Sequence, residues 1–180
     1  ELGKEILQVE KLTKTIDGKV LFKNLSFTLK KNDKVILLGS DLATSTLLSI
    51  LAGETEPDTG KITWGVTTQR SYFPNDNTKY FIDGKLNLVD WLRDFSEDKD
   101  ESFVRGFLGR MLFSGEESQK KTNVLSGGER VRMMLSKMML EAGNVLLLDR
   151  PTDHLDLESI TSLNESLSKV DTNLMFTCHD

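Results

Sequence analysis

The sequence predicts an α/β fold in which helices alternate with the strands of a largely parallel sheet. Two short apolar runs carry the prediction first. Lys34-Val35-Ile36-Leu37-Leu38-Gly39 and Val145-Leu146-Leu147-Leu148-Asp149 read as strands buried on both faces. Beside them stand helical stripes: Leu47, Leu48, Ile50 and Leu51 after the first run, and a helix over about 127–142 before the second. The polar residues that invite a chemical reading fall at strand ends, at Gly39 and beyond, at Asp149 and at His179. Open α/β sheets bind their ligands at such ends.

In chain order, residues 6–30 read as antiparallel strands. Ile6-Leu7-Gln8-Val9 precedes a turn at Asp17-Gly18, and residues 22–29 alternate apolar and polar side chains. The stripe at 47–51 stops at Gly53, Pro57-Asp58-Thr59-Gly60 makes a turn, and Lys61-Ile62-Thr63-Trp64 is a strand. Residues 87–121 have a helical texture, broken by the charged, solvated loop 97–101. A helix over roughly 156–169 and a strand at Asn173-Leu174-Met175-Phe176-Thr177 close the chain. Met133, Met134, Met138 and Met139 read as gap-filling core, and Trp64, Tyr72, Trp91 and Phe95 as packing aromatics.

The bulk numbers restrict the function classes. At 180 residues the chain is one ordinary domain or a domain with a lobe. A net charge of −5 argues against a general nucleic-acid clamp. A single cysteine, Cys178, excludes an internal disulfide and suits a reducing cytoplasm. No apolar run approaches the ~20 residues of a membrane span, and no apolar signal segment opens the chain.

The most specific segment is Leu125-Ser126-Gly127-Gly128-Glu129. A capping box accounts for Ser126 and Glu129 but not for two consecutive glycines. Glycines allow close approach of a ligand to the backbone, and a helix N-terminus favours phosphate. About twenty residues later comes Val145-Leu146-Leu147-Leu148-Asp149-Arg150-Pro151-Thr152-Asp153-His154-Leu155-Asp156, and the last strand leads into His179.

This ordered series resembles the ATP-binding-cassette ATPases, and Pro-Thr-Asp-His-Leu-Asp resembles the soluble ABC-F branch. The likeness covers essentially the whole chain, including the run at 106–117. With no room for a long inserted arm between Phe73 and Ser126, and with residues 4–12 resembling a linker exit, it is most similar to the second nucleotide-binding domain of such proteins. The resemblance implies a P-loop NTPase core with an antiparallel β lobe and a helical signature lobe. It further implies that residues 1–180 are one nucleotide-binding domain, a fragment of a two-domain cytoplasmic protein. ATP and Mg²⁺ would be the cofactors. Gly39, Ser40, Asp41, Thr44, Ser45, Thr46 and Asn75 would lie around the nucleotide, and Asp149 with Thr46 would hold the metal. His179 would be the switch histidine, and Asp156 would meet the partner domain. Ser126, Gly127, Gly128 and Glu129 would press on ATP held by that domain. The partners implied are a second nucleotide-binding domain and the ribosome.

The sequence departs from that pattern at one place. A working phosphate loop reads G-x-x-x-x-G-K-[ST]; here Gly39-Ser40-Asp41-Leu42-Ala43-Thr44-Ser45-Thr46 has neither the lysine nor the inner glycines. Depending on the anchor, Ser45 or Thr44 takes the lysine's position. Asp41 puts a negative charge where phosphate belongs, a repulsion of roughly 4 kcal/mol at 4 Å and an effective dielectric of 20. Arg150 stands where the resemblance implies a glutamate base, and a guanidinium is no base. Asn75 replaces a glutamine, and Ile16 the aromatic expected against adenine. Own-site hydrolysis is therefore expected to be weak or absent, so the chain's standing as an ATPase in its own right stays open. Two alternatives remain: an inactive scaffold that donates its signature to a partner site, and the motor domain of a membrane transporter. With the glycines gone, residues 42–46 are also free to extend the following helix backwards.

Overall fold

The computed structural model describes residues 5–159, 161, 165 and 172–178. They form two compact units. The first holds the residues up to Pro74, Gly143–Pro151 and the last strand; the second holds Asn75–Ala142 and Thr152–Val170.

In the first unit, strands β1 (Glu5–Ile16) and β2 (Lys19–Lys30) form an antiparallel hairpin. Its two turn residues, Asp17 and Gly18, have φ of 49° and 76°, the left-handed pair that two-residue hairpins require. Strand β4 (Thr59–Trp64) pairs with the other side of β1, giving the order β2-β1-β4. Gly60 is obligatory there. Its φ is 109°, and a Cβ would come within 2.6 Å of the Leu12 backbone.

The second sheet runs β3 (Lys34–Leu37), β7 (Asn173–Thr177), β6 (Val145–Leu148), β5 (Arg70–Phe73), every pair parallel. Strand β6 is buried throughout, as its unbroken apolar run predicts. Strand β3 departs from expectation: among the described residues it is an edge strand, and Ile36 is 51 % exposed. An apolar run reports hydrophobicity, not the number of neighbours a strand acquires. Strand β5 was not legible, because four residues ending at Phe73-Pro74 carry too little pattern without their partner β6.

Helix α1 (Asp41–Leu51) buries Leu47, Leu48, Ile50 and Leu51 in one cluster with Leu7, Val9, Leu12 and Leu29 of the antiparallel sheet and Val145, Leu147 and Met175 of the parallel one. The helical stripe read from the sequence is thus the seam between the sheets.

The second unit is helical: α2 (Leu88–Arg93), α3 (Glu101–Arg110) and α4 (Gly127–Glu141) pack on one another. Asn87, Asp100 and Ser126 cap them, each side chain accepting from a backbone N–H three residues on. The charged loop is exposed over residues 97–100 and ends at the Asp100 cap. Met133, Met134, Met138 and Met139 are core, as expected. Trp91 stacks on Phe81 at 5.0 Å between ring centroids and donates its indole N–H to the Tyr80 carbonyl. The helix expected over 156–169 falls mostly outside the described residues; Leu157, Glu158 and Ser159 are helical.

Candidate functional site

The predicted site residues divide between the two units. Residues 39–46, Asp149 and Arg150 belong to the first; Asn75, the 126–129 segment and Asp156 belong to the second. His179 lies outside the described residues.

In the first unit the expected phosphate loop is a helix. Gly39, at φ 152°, makes the bend after β3. Ser40 is the N-cap of α1, its Oγ accepting from Ala43 N–H at 3.2 Å and its carbonyl from Thr44 N–H at 3.0 Å. The backward extension that the missing glycines allow is therefore present, and it begins at Asp41. From Ala43 onward the N–H groups that a phosphate nest would present are consumed by the cap and by i→i−4 bonding. Thr44 and Thr46 are buried within the helix, and Thr44 Oγ1 turns back to the Ser40 carbonyl. Ser45 Oγ is buried with no partner among the described residues. A lone hydroxyl supplies none of the charge a lysine would.

Asp149 ends β6 and is 2 % exposed. Register places it beside the end of β7, where Thr177 Oγ1 donates to Asp149 Oδ1 at 2.8 Å. The same hydroxyl accepts the Arg150 N–H at 2.9 Å. Arg150 has a φ of 46°, a left-handed conformation that a long side chain keeps only where neighbours hold it. Its guanidinium Nη1 meets Asp41 Oδ2 at 2.9 Å, and its Nε lies 3.5 Å from Asp149 Oδ1. The carboxylate expected to oppose phosphate is thus paired with Arg150, which stands where the resemblance implies a base. Asp41 also sits in the first turn of α1, where the helix dipole favours it.

These groups do not fit Mg²⁺ and a nucleotide phosphate as they stand. The cation between the carboxylates is an arginine, the nest is closed, and among the described residues no three His, Cys, Asp or Glu side chains cluster as metal ligands.

In the second unit the signature segment starts α4 with a complete capping box. Ser126 Oγ accepts from Glu129 N–H at 3.2 Å, and Glu129 Oε1 accepts from Ser126 N–H at 3.1 Å. Those bonds, the Ser126 backbone N–H first and then Lys120 at 3.0 Å, hold the Glu129 carboxyl below its usual range. Glu129 is thereby held as the cap of α4. Neither glycine has a positive φ, and among the described residues a Cβ on either would meet nothing within 4 Å. With Asn75, Asp76, Arg130 and His154 they line a cavity of about 580 Å³. Arg130 Nε is buried there without an acceptor among the described residues. Asn75 Nδ2 donates to Asp153 Oδ2 at 3.1 Å, and its carbonyl lies 3.0 Å from His154 Nε2. Asp156 caps the next helical turn by accepting from Ser159 N–H at 2.8 Å, which lowers its pKa.

Sequence reasoning missed Thr177, Arg130, Asp153 and His154 as site residues. Thr177 is identified only by the register of β6 against β7. Arg130 follows Glu129 directly, an extra cation beside the signature glycines, and Asp153 and His154 stand in the Pro-Thr-Asp-His-Leu-Asp run.

A family model described as ABC transporter matches residues 22–153. The Uncharacterized ABC transporter ATP-binding protein YkpA of Bacillus subtilis is 57 % identical over 182 aligned residues, covering 100 % of this chain and 34 % of the relative. The Energy-dependent translational throttle protein EttA of Escherichia coli K12 is 33 % identical, covering 99 % of this chain and 33 % of the relative. The chain therefore spans about a third of the length of the curated relatives it matches. Among solved structures, the ATP-binding subunit of an ABC transporter superposes with a TM-score of 0.74 at 18 % identity, covering 97 % of this chain and 79 % of that one. That likeness confirms the P-loop NTPase fold of the ABC ATPases, with its antiparallel and parallel sheets.

Proposed function

The chain belongs to the ABC transporter family of ATP-binding domains, and on that premise we propose that it is an ABC-F nucleotide-binding domain whose working surface is its signature helix. It couples ATP binding to closure against a second nucleotide-binding domain of the same protein, and it completes the ATP site held there. Its own site hydrolyses ATP weakly or not at all. The relative named as a translational throttle protein supports closure on the ribosome, in the cytoplasm. No helix among the described residues is long and apolar enough to cross a membrane.

One observation carries the reading. Gly127 and Gly128 are glycines without a conformational or packing reason among the described residues, at the N-terminus of a 15-residue helix. A glycine on an open surface leaves room for a group that comes close from outside. ABC domains in general pair with a second such domain and bind ATP with Mg²⁺, so the phosphates of the partner's nucleotide are the natural anion for this helix end. The contrast with α1 supports the division of labour, since there the equivalent N–H groups are already used.

The test is Gly127→Glu in the two-domain protein, read by ATP-dependent closure between labels on the two domains and by cosedimentation with ribosomes. The open surroundings predict that the variant folds, with helix propensity favouring it by about 0.5–1 kcal/mol. Closure and ATP-dependent cosedimentation should both be lost. Normal closure by the folded variant refutes the reading.

A further inference from the structure

We propose that Arg150 is the resident cation of the first unit: its guanidinium takes the place of the divalent metal at the end of β6, and the unit is complete without Mg²⁺. The inference deepens the reading that the chain's own site works weakly or not at all, and it names the physical cause.

The carboxylates of Asp41 and Asp149 come from the first turn of α1 and the end of β6, 108 positions apart in the chain. Asp149 is buried at 2 % exposure, and a buried carboxylate needs a cation or several donors nearby. Thr177 supplies one donor at 2.8 Å. The remaining compensation comes from Arg150, whose side chain is 16 % exposed and reaches both carboxylates, at 2.9 Å and 3.5 Å. A guanidinium presents its donors in a planar fork, so one side chain can meet two carboxylates.

Its backbone supports the assignment. A φ of 46° at a non-glycine residue is held here by the bond from its N–H to Thr177 Oγ1. The hydroxyl that orients Asp149 therefore also aims Arg150. Asp41 is explained in the same stroke: a carboxylate that would repel a phosphate is, for a guanidinium, the second anchor. The departures expected at 41 and 150 then form one arrangement rather than separate losses.

Replacing the guanidinium by an uncharged chain should leave two carboxylates with an unfilled cation position between them. The experiment is thermal unfolding of the chain, without nucleotide, in millimolar MgCl₂ and in NaCl of equal ionic strength, for the wild type, Arg150→Met, Arg150→Lys and Asp41→Asn. The wild type should unfold at the same temperature in both salts. Arg150→Met should unfold about 3–8 °C lower in NaCl and recover at least half of that loss in MgCl₂. Arg150→Lys, which keeps a charge, should lose less and ignore Mg²⁺. Asp41→Asn should lose the least, because its ion pair with Arg150 is half-exposed, and it too should ignore Mg²⁺; this variant keeps the test decisive should Arg150→Met not fold.

Stabilisation of the wild type or of Asp41→Asn by Mg²⁺, or an Arg150→Met variant as stable as the wild type or unresponsive to Mg²⁺, overturns the proposal. These readouts involve neither nucleotide nor partner. Loss of this result therefore leaves the Gly127→Glu closure test standing, and failure of that test leaves this one.

Discussion

Thr177→Val isolates the hydroxyl on which both strand-end groups depend. Thr177 is 1 % exposed, and valine conserves its volume and branching, so packing is preserved. What disappears is one hydrogen bond to a buried carboxylate, Asp149 at 2.8 Å, and one acceptor for the Arg150 N–H at 2.9 Å. A bond to a charged group contributes about 1.5–3 kcal/mol, and an unpaired buried donor costs about 1–3 kcal/mol more. Arg150 is only half-buried, so water can reach its N–H, and the lower part of the second range applies. Valine's strand preference returns a few tenths. The expected loss is about 2–4 kcal/mol. Urea unfolding followed by the fluorescence of Trp64, which belongs to the same unit, should show the midpoint falling by about 1–2 M with an unchanged slope. Thr177→Ser, which keeps the hydroxyl, should lose less than half as much. A Thr177→Val protein within about 0.5 kcal/mol of the wild type would refute the argument that this hydroxyl organises the site.

Two further expectations concern pH. The Ser126 N–H and Lys120 hold the Glu129 carboxyl below its ordinary 4.5, so the cap's contribution is present above that value and is lost as the pH falls through the lower folded value; Glu129→Gln should flatten the decline of stability in that acid window, and an unchanged acid profile would show the box to be energetically idle. Burial, and then the charges of Asp149 and Glu54, push the Tyr72 phenol far above its ordinary 10.0, so its contribution is intact below pH 10 and lost only as the pH rises beyond it; in a Tyr80→Phe background no phenolate absorbance should develop before the fold opens, and reversible titration near 10 would contradict the burial.

How much of this was legible depends on how local each signal is. The Asp17-Gly18 hairpin, the α1 stripe, the buried β6 run and the capped start of α4 depend on neighbours a few residues away, and each stands where the sequence predicts. The backward growth of α1 is equally local, since Ser40 is a good cap and no glycine remains at 41–46 to interrupt the helix. Strand β5 was missed because a four-residue parallel strand is specified by its partner. The exposure of β3 was misread because an apolar run carries no count of its flanking strands.

By itself, then, the sequence determined the family, the alternation of strands and helices, and the identity of the altered residues at 41, 44–45, 75 and 150. The alternation follows from period and spacing along the chain; the family, and the departures expected from its pattern, follow from the resemblance of its motifs. Only the tertiary structure decided what the alterations do together. That Arg150 reaches Asp41, that Thr177 serves both Asp149 and Arg150, and that Gly60 is constrained by its surroundings while Gly127 and Gly128 are not, are facts of register and approach. The physical reason is that charge compensation and close contact act over a few ångströms of space, across separations of tens to a hundred residues in the chain, and no periodicity records them.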